Sequence, residues 1–198
     1  MKLGCVVLAA GRGVRFGGNK LICPLAGRPV LSRVLESLPR EQFSSILVVA
    51  SSQEVEQLCQ ASGLPCLRYE GGAQSDSIRL GIGTMEETEG CMFVMGDQPL
   101  CSRRSMERLL EAFHRQPEAV VRLAFQGRPC SPVLFPSRYY PNLAALTGEQ
   151  GGIAAVRSLN PTFRFVEAEE EAELWDTDTP EELTRIEHYL LTKEGRVL

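Results

Sequence analysis

Short apolar runs and stretches of helical spacing alternate along the whole chain. Residues 3–8 form a nearly continuous apolar run that breaks into glycines, and residues 29–38 then place apolar side chains at helical spacing, which predicts strand, loop and helix. Residues 46–50 repeat the strand signal, 53–61 the helix, 66–69 a short third strand and 75–85 its helix. A fourth buried strand is predicted at 91–95 with a helix at 102–114, a fifth strand at 119–124 and a sixth at 132–135. The remainder predicts helices at 138–146 and 151–159, a strand at 163–166 and a last helix at 180–191. Pro39, Pro65 and Pro117 fall between elements, where a missing N–H does least harm. Such alternation predicts an α/β fold, a doubly wound and mostly parallel sheet without repeat or linker, in one domain over residues 1–198. Sheets of this kind bind ligands beyond the carboxyl ends of their strands, so the loops after strands are the first candidates for chemistry.

The loop after the first strand reads Leu8-Ala9-Ala10-Gly11-Arg12-Gly13-Val14-Arg15-Phe16-Gly17-Gly18-Asn19-Lys20. Glycines let main-chain N–H groups approach a polyphosphate, and Arg12, Arg15 and Lys20 supply neutralising charge. It is neither a Walker loop nor a dinucleotide fingerprint, since Phe16 stands where the third glycine of the latter belongs. After the fourth strand comes Gly96-Asp97-Gln98-Pro99, with an aspartate placed to hold Mg²⁺, which takes one or two carboxylates plus phosphate oxygens and water; a turn or cap aspartate is the plainer reading. A second carboxylate source is Trp175-Asp176-Thr177-Asp178-Thr179-Pro180. There, Asp178 or Thr179 would cap the last helix, leaving Asp176 and Asp178 as alternative metal ligands.

Composition narrows the partners. With 21 Lys plus Arg against 25 Asp plus Glu, a net charge of −4 and no long block of one sign, the chain has no basic face for nucleic acid. Its apolar runs fall far short of the ~20 residues that span a bilayer. Seven cysteines without a Cys-x-x-Cys pair argue against a disulfide framework or zinc site and for a reducing, cytoplasmic setting.

Together these motifs resemble the nucleotidyltransferases of the molybdenum-cofactor family, above all its cytidylyltransferase branch. The resemblance is carried by Leu8-Ala9-Ala10-Gly11 with Arg15-Phe16-Gly17 and Lys20-Leu21, by Gly96-Asp97-Gln98-Pro99, and by Asp176-x-Asp178-Thr179-Pro180-Glu181. Residues 72–82, with Ser75, Ser77 and Arg79, resemble the family segment near base and ribose, although a serine-capped helix start is their simpler reading. Pro132-Val133-Leu134-Phe135 is similar to a further landmark. Two departures concern the acceptor side: Cys130-Ser131 stands where the branch commonly has Gly-His, and Gly148-Glu149-Gln150-Gly151-Gly152-Ile153 where Gly-Asp-x-Gly-Ala-Arg is frequent.

The resemblance implies a Rossmann-like nucleotidyltransferase fold and a Mg²⁺-dependent transfer of a nucleoside monophosphate, CMP from CTP, onto the terminal phosphate of a molybdopterin-type acceptor, with release of pyrophosphate. It also implies transient handover of the product to a molybdoenzyme or its chaperone. Main-chain amides of residues 11–13 with Arg15 would hold the β- and γ-phosphates, Lys20 would lie nearer the transferring phosphate, and Asp97 with Asp176 or Asp178 would hold the metal. A phosphate monoester, with its second pKa near about 6, is already an anionic nucleophile at neutral pH, so the protein need supply only alignment and charge. His114 and His188 accordingly lie outside every motif. Two other functions fit less fully: transfer to a sugar or polyol phosphate, and a non-catalytic pterin-cofactor carrier, for which Lys20 and Asp97 would have no use. Ala10, where guanylyl relatives usually show glycine, favours a pyrimidine base.

Overall fold

A computed structural model describes residues 1–11, 16–85, 87–193 and 195. Its first strand, β1 (Leu3–Ala9), leads through the loop to a small antiparallel hairpin of β2 (Pro24–Leu25) and β3 (Arg28–Pro29), and then to α1 (Val30–Ser37). There follow β4 (Ser45–Ala50), α2 (Gln53–Ala61), β5 (Cys66–Arg68), α3 (Gln74–Ile82), β6 (Gly90–Met95) and α4 (Arg103–Arg115). The second half contains β7 (Val120–Phe125), β8 (Arg128–Pro136), the short helices α5 (Tyr140–Ala144) and α6 (Gly152–Val156), β9 (Phe163–Glu167) and α7 (Pro180–Lys193).

Seven strands form one sheet in the order β5-β4-β1-β6-β8-β7-β9. All neighbours are parallel except β8, which runs antiparallel to both β6 and β7. The expected α/β, mostly parallel sheet is therefore the observed one. Its central strands are apolar on both faces because both faces are covered. On β1, Cys5, Val7 and Ala9 enter the layer shared with α1, α2 and α4, whereas Val6 points into the layer under α3, α5 and α6. Gly81 of α3 makes the second layer close: a Cβ there would stand 2.5 Å from Val6 Cγ1.

Several boundaries differ from the sequence reading, and the helix expected at 75–85 runs from Gln74 to Ile82. The predicted helix at 138–146 is a 3₁₀ turn, Ser137–Tyr139, running into α5, and that at 151–159 ends as α helix at Val156 and finishes in a 3₁₀ turn. The strand at 132–135 begins earlier, since polar Arg128–Ser131 pair with β7 beyond the buried part. The β2–β3 hairpin is additional. It turns through Ala26 and Gly27, both at positive φ, and α7 packs on it by burying Ile186 against Leu25 and Val30. Full burial of such a side chain is worth about 1.5–3 kcal/mol. That contact fixes the start of α7 near the carboxyl end of the sheet. Among the described residues, no helix is long and apolar enough to cross a membrane.

Candidate active site

The carboxyl ends of β1, β4 and β6 lie side by side, with Leu8 paired to Val49 and to Met95. Beyond them opens a cavity of about 630 Å³ whose wall includes Leu8, Ala10, Gly11, Lys20, Ser77, Asp97 and Asp178. Three segments far apart in sequence are drawn together there. Gly96 turns the chain hard against β1, donating from its N–H to Leu8 O at 2.9 Å, and a Cβ on Gly96 would stand 3.0 Å from that same oxygen. Asp97 is thereby lifted off the strand end. The segment before α7 is then tied to it by Thr177, fully buried, which donates to Asp97 O from both its N–H and its hydroxyl, at 3.1 and 3.2 Å.

At the centre stands Lys20, only 7% exposed, in a single 3₁₀ turn after the glycine loop. Its Nζ donates to Asp97 Oδ2 and to Asp178 Oδ1, each at 2.6 Å. Burial alone would push the ammonium below its ordinary pKa, but the two carboxylates outweigh burial and hold it above. Lys20 is therefore a cation throughout the neutral range.

Thr179, not Asp178, caps α7. Its hydroxyl accepts from Glu182 N at 3.2 Å, and the Glu182 carboxylate accepts from the N–H groups of Asp178 and Thr179, a capping box that frees the Asp178 side chain to meet Lys20. Asp176 lies off the cavity wall and is exposed, beside Trp175 and Arg185. Partial loss of hydration and the facing charge of Asp97 push its carboxyl up to about 6, against a hydrogen bond from Gln98 that holds it down.

The donors fit a hard divalent cation. Asp97 Oδ1 is buried and has no hydrogen-bond partner, while Oδ2 is held by Lys20. Among the described residues no three His, Cys, Asp or Glu side chains converge as a metal site of their own. A cation of the Mg²⁺ type requires no such cluster, since it takes one or two carboxylates and completes its shell with water and phosphate oxygens.

The other sequence candidates are distributed as follows. Ala10 and Gly11 are on the wall, while the Ala9 side chain faces the core. Ser77 is on the wall and shares a 2.8 Å hydrogen bond with the Tyr69 hydroxyl. Ser75 is buried behind the wall with its Oγ unpaired; it is not the cap of α3, which begins at Gln74, where Asp76 accepts from Ala73 N at 3.0 Å. Arg79 points away and pairs with Asp76 at 2.6 Å. Arg12, Gly13 and Arg15 lie outside the described residues. His114 and His188 stay on α4 and α7, away from the cavity. Sequence reasoning missed Gln74 and Glu149, which also line the cavity, and Thr177, whose only signal was a threonine between two aspartates.

Residues 5–162 match the family model described as the MobA-like NTP transferase domain. The purine catabolism protein PucB of Bacillus subtilis is 28% identical over 89% of this chain and 92% of its own length. The 3-deoxy-manno-octulosonate cytidylyltransferase of Francisella philomiragia is 27% identical over 59% of the chain, which spans 48% of that enzyme. Among solved structures, the manganese complex of Rv0371c from Mycobacterium tuberculosis superposes with a TM-score of 0.78 at 20% identity, covering 95% of this chain and 99% of its own. The family match covers the glycine loop, Lys20 and Asp97, and ends before the segment of Asp176 and Asp178. With that match across most of its length, the chain belongs to the family of MobA-like NTP transferase domains.

Proposed function

We propose that this nucleotidyltransferase moves a nucleoside monophosphate, CMP from CTP, onto the terminal phosphate of a molybdopterin-type acceptor, releasing pyrophosphate. The observation that carries the reading is the buried Lys20, held at 2.6 Å from each of two carboxylates on the wall of a cavity large enough for a nucleotide. An ammonium buried with carboxylates is costly to build, and a simple fold has little use for one. In nucleotidyl transfer it has a use: charge grows around the α-phosphorus as the acceptor oxygen attacks and pyrophosphate departs, and a preorganised cation stabilises that charge.

Asp97, through its unpaired Oδ1, with Asp176 or Asp178 would hold a divalent cation, Mg²⁺ in this reading. When bound, it supplies further neutralisation of the triphosphate and of the leaving pyrophosphate. Main-chain amides of residues 11–13 with Arg15 would bind the triphosphate, and Ser77, on the cavity wall, would contact the nucleoside. The attacking phosphate oxygen needs no base, in keeping with a cavity wall that carries no histidine among its described residues. On this reading the reaction takes place in the cytoplasm, and the product passes to a molybdoenzyme or its chaperone.

A sugar or polyol phosphate acceptor would use the same metal and phosphate apparatus. Pyrophosphate release from CTP, measured with molybdopterin, with a sugar phosphate and with a polyol phosphate, separates these. Release with molybdopterin alone is expected; release with a sugar phosphate alone would replace the acceptor in this reading.

A further inference from the structure

A second cavity, of about 300 Å³, adjoins the first and shares Leu8, Gln74 and Met95 with it. Most of its wall is apolar, from Phe93, Val133, Phe135 and Ile153. Its polar side chains are Gln74, Ser131, the exposed Arg157 and Arg122, and of these Arg122 alone has a buried polar atom without a partner. Its neighbours along β7, Val121 and Leu123, point into the opposite core layer, so strand alternation sends Arg122 toward α3 and α6. Its Nε is fully buried without a hydrogen-bond partner, and the guanidinium forms no ion pair with any described residue. Burial pulls it below its ordinary pKa, with the Cys130 thiol its one opposing influence. An unpaired guanidinium in an apolar wall costs stability and is retained where a ligand supplies what the fold does not. Ser131 and Ile153, at the two places where the chain departs from the pattern it resembles, line this same cavity.

We propose that this second cavity holds the ring system of the acceptor, and that Arg122 donates hydrogen bonds to a carbonyl or anionic oxygen on that ring. The inference rests on the reading of the first cavity as the nucleotide site. The apolar side chains of Phe93, Val133 and Phe135 suit the body of a heterocycle, a volume of about 300 Å³ lies at the small end for ligand sites, and the wall shared with the first cavity lets a phosphate on that ring reach the nucleotide. Arg122 is thus a specificity-determining residue for the acceptor and takes no part in holding the triphosphate.

The test uses the whole protein and two variants, Arg122→Met and Arg122→Lys. Titrations with 6-hydroxymethylpterin, followed by its own fluorescence, with a phosphorylated sugar acid and with CTP, are run beside thermal unfolding. Pterin binding is expected to weaken at least tenfold in Arg122→Met and less in Arg122→Lys, with CTP affinity unchanged. Because an unpaired half-buried charge has been removed, Tm of ligand-free Arg122→Met should rise by about 2–4 °C, which a structural arginine would not give. Equal pterin binding by wild type and Arg122→Met would overturn the role of Arg122 while leaving a pterin acceptor standing. Arg122-dependent binding of the sugar acid, with no pterin binding, would keep the subsite and overturn the pterin acceptor. Binding of neither probe, or an equal loss of CTP affinity, would overturn the subsite.

Discussion

Lys20 Nζ meets Asp97 Oδ2 at 2.6 Å across 77 residues of sequence, and this ion pair ties the glycine loop after β1 to the turn after β6. Both partners are buried or nearly so, with side chains 9% and 15% exposed, so each depends on the other for compensation. Asp97→Asn should therefore lower turnover by about 10²–10³ and also destabilise the nucleotide-free protein by about 1–3 kcal/mol, since Lys20 is left with Asp178 alone. Rate assays and denaturant unfolding on the same preparation check both. Normal turnover in Asp97→Asn would remove Asp97 from the site.

Lys20 and a metal compete for the same carboxylates. Lys20→Met should bind Mg²⁺ more tightly than wild type in the absence of nucleotide, as seen by calorimetry, and yet turn over far more slowly. Its maximal rate should fall by a larger factor than its CTP affinity, the mark of an interaction made in the transition state. Unchanged Mg²⁺ affinity would show that the cation sits elsewhere.

Acid–base behaviour separates Asp176 from Glu173. Asp176 titrates at about 6, above its unfolded value, so ionising it opposes folding as pH rises from about 4 to 6. Asp176→Asn should then be neutral below pH 4 and modestly stabilising above pH 6, by at most about 1 kcal/mol because the residue is exposed. Glu173 is the opposite case. Its burial would raise the pKa, but hydrogen bonds from the N–H groups of Ser102 and Glu169, with the polar surroundings of Ser102 and Ser105, outweigh burial and lower it. Its stabilisation is present above the ordinary glutamate pKa and is lost as pH falls through the depressed one. Glu173→Gln should cost about 1–3 kcal/mol at pH 7 and progressively less in acid. A penalty independent of pH would contradict this.

Base selection can be tested at Ala10, 4% exposed and on the cavity wall. If its methyl narrows the space for the base, wild type should prefer CTP over GTP, and Ala10→Gly should relax that preference by about 1–3 kcal/mol. Competition between the two nucleotides measures it, and a wild-type preference for GTP would overturn the cytidylyl reading.

What the sequence shows best is what burial imposes on composition. β1, β4 and β6 are covered on both faces and so stand out as apolar runs, and the glycine loop and Gly96-Asp97 follow from where those runs end. The β2–β3 hairpin was illegible because two-residue strands carry no alternation and Ala26-Gly27 lacks the Asn or Asp that marks such a turn. The pairing of Lys20 with Asp178 joins residues 158 apart and depends on α7 docking at Ile186, which no local pattern encodes. Arg122 was overlooked for a related reason. A single cation inside an apolar strand reads as a solvent-facing position until the sheet shows that both faces there are covered.

Transfer of CMP to a pterin phosphate with Lys20 at the reacting centre is decided by mass analysis of products after incubating wild type and Lys20→Ala with CTP, Mg²⁺ and purified molybdopterin. The expected result is a cofactor heavier by one CMP residue, with one pyrophosphate per transfer, formed by wild type and nearly absent with Lys20→Ala. Unmodified molybdopterin after complete reaction with another phosphorylated acceptor, or equal product from Lys20→Ala, would contradict it.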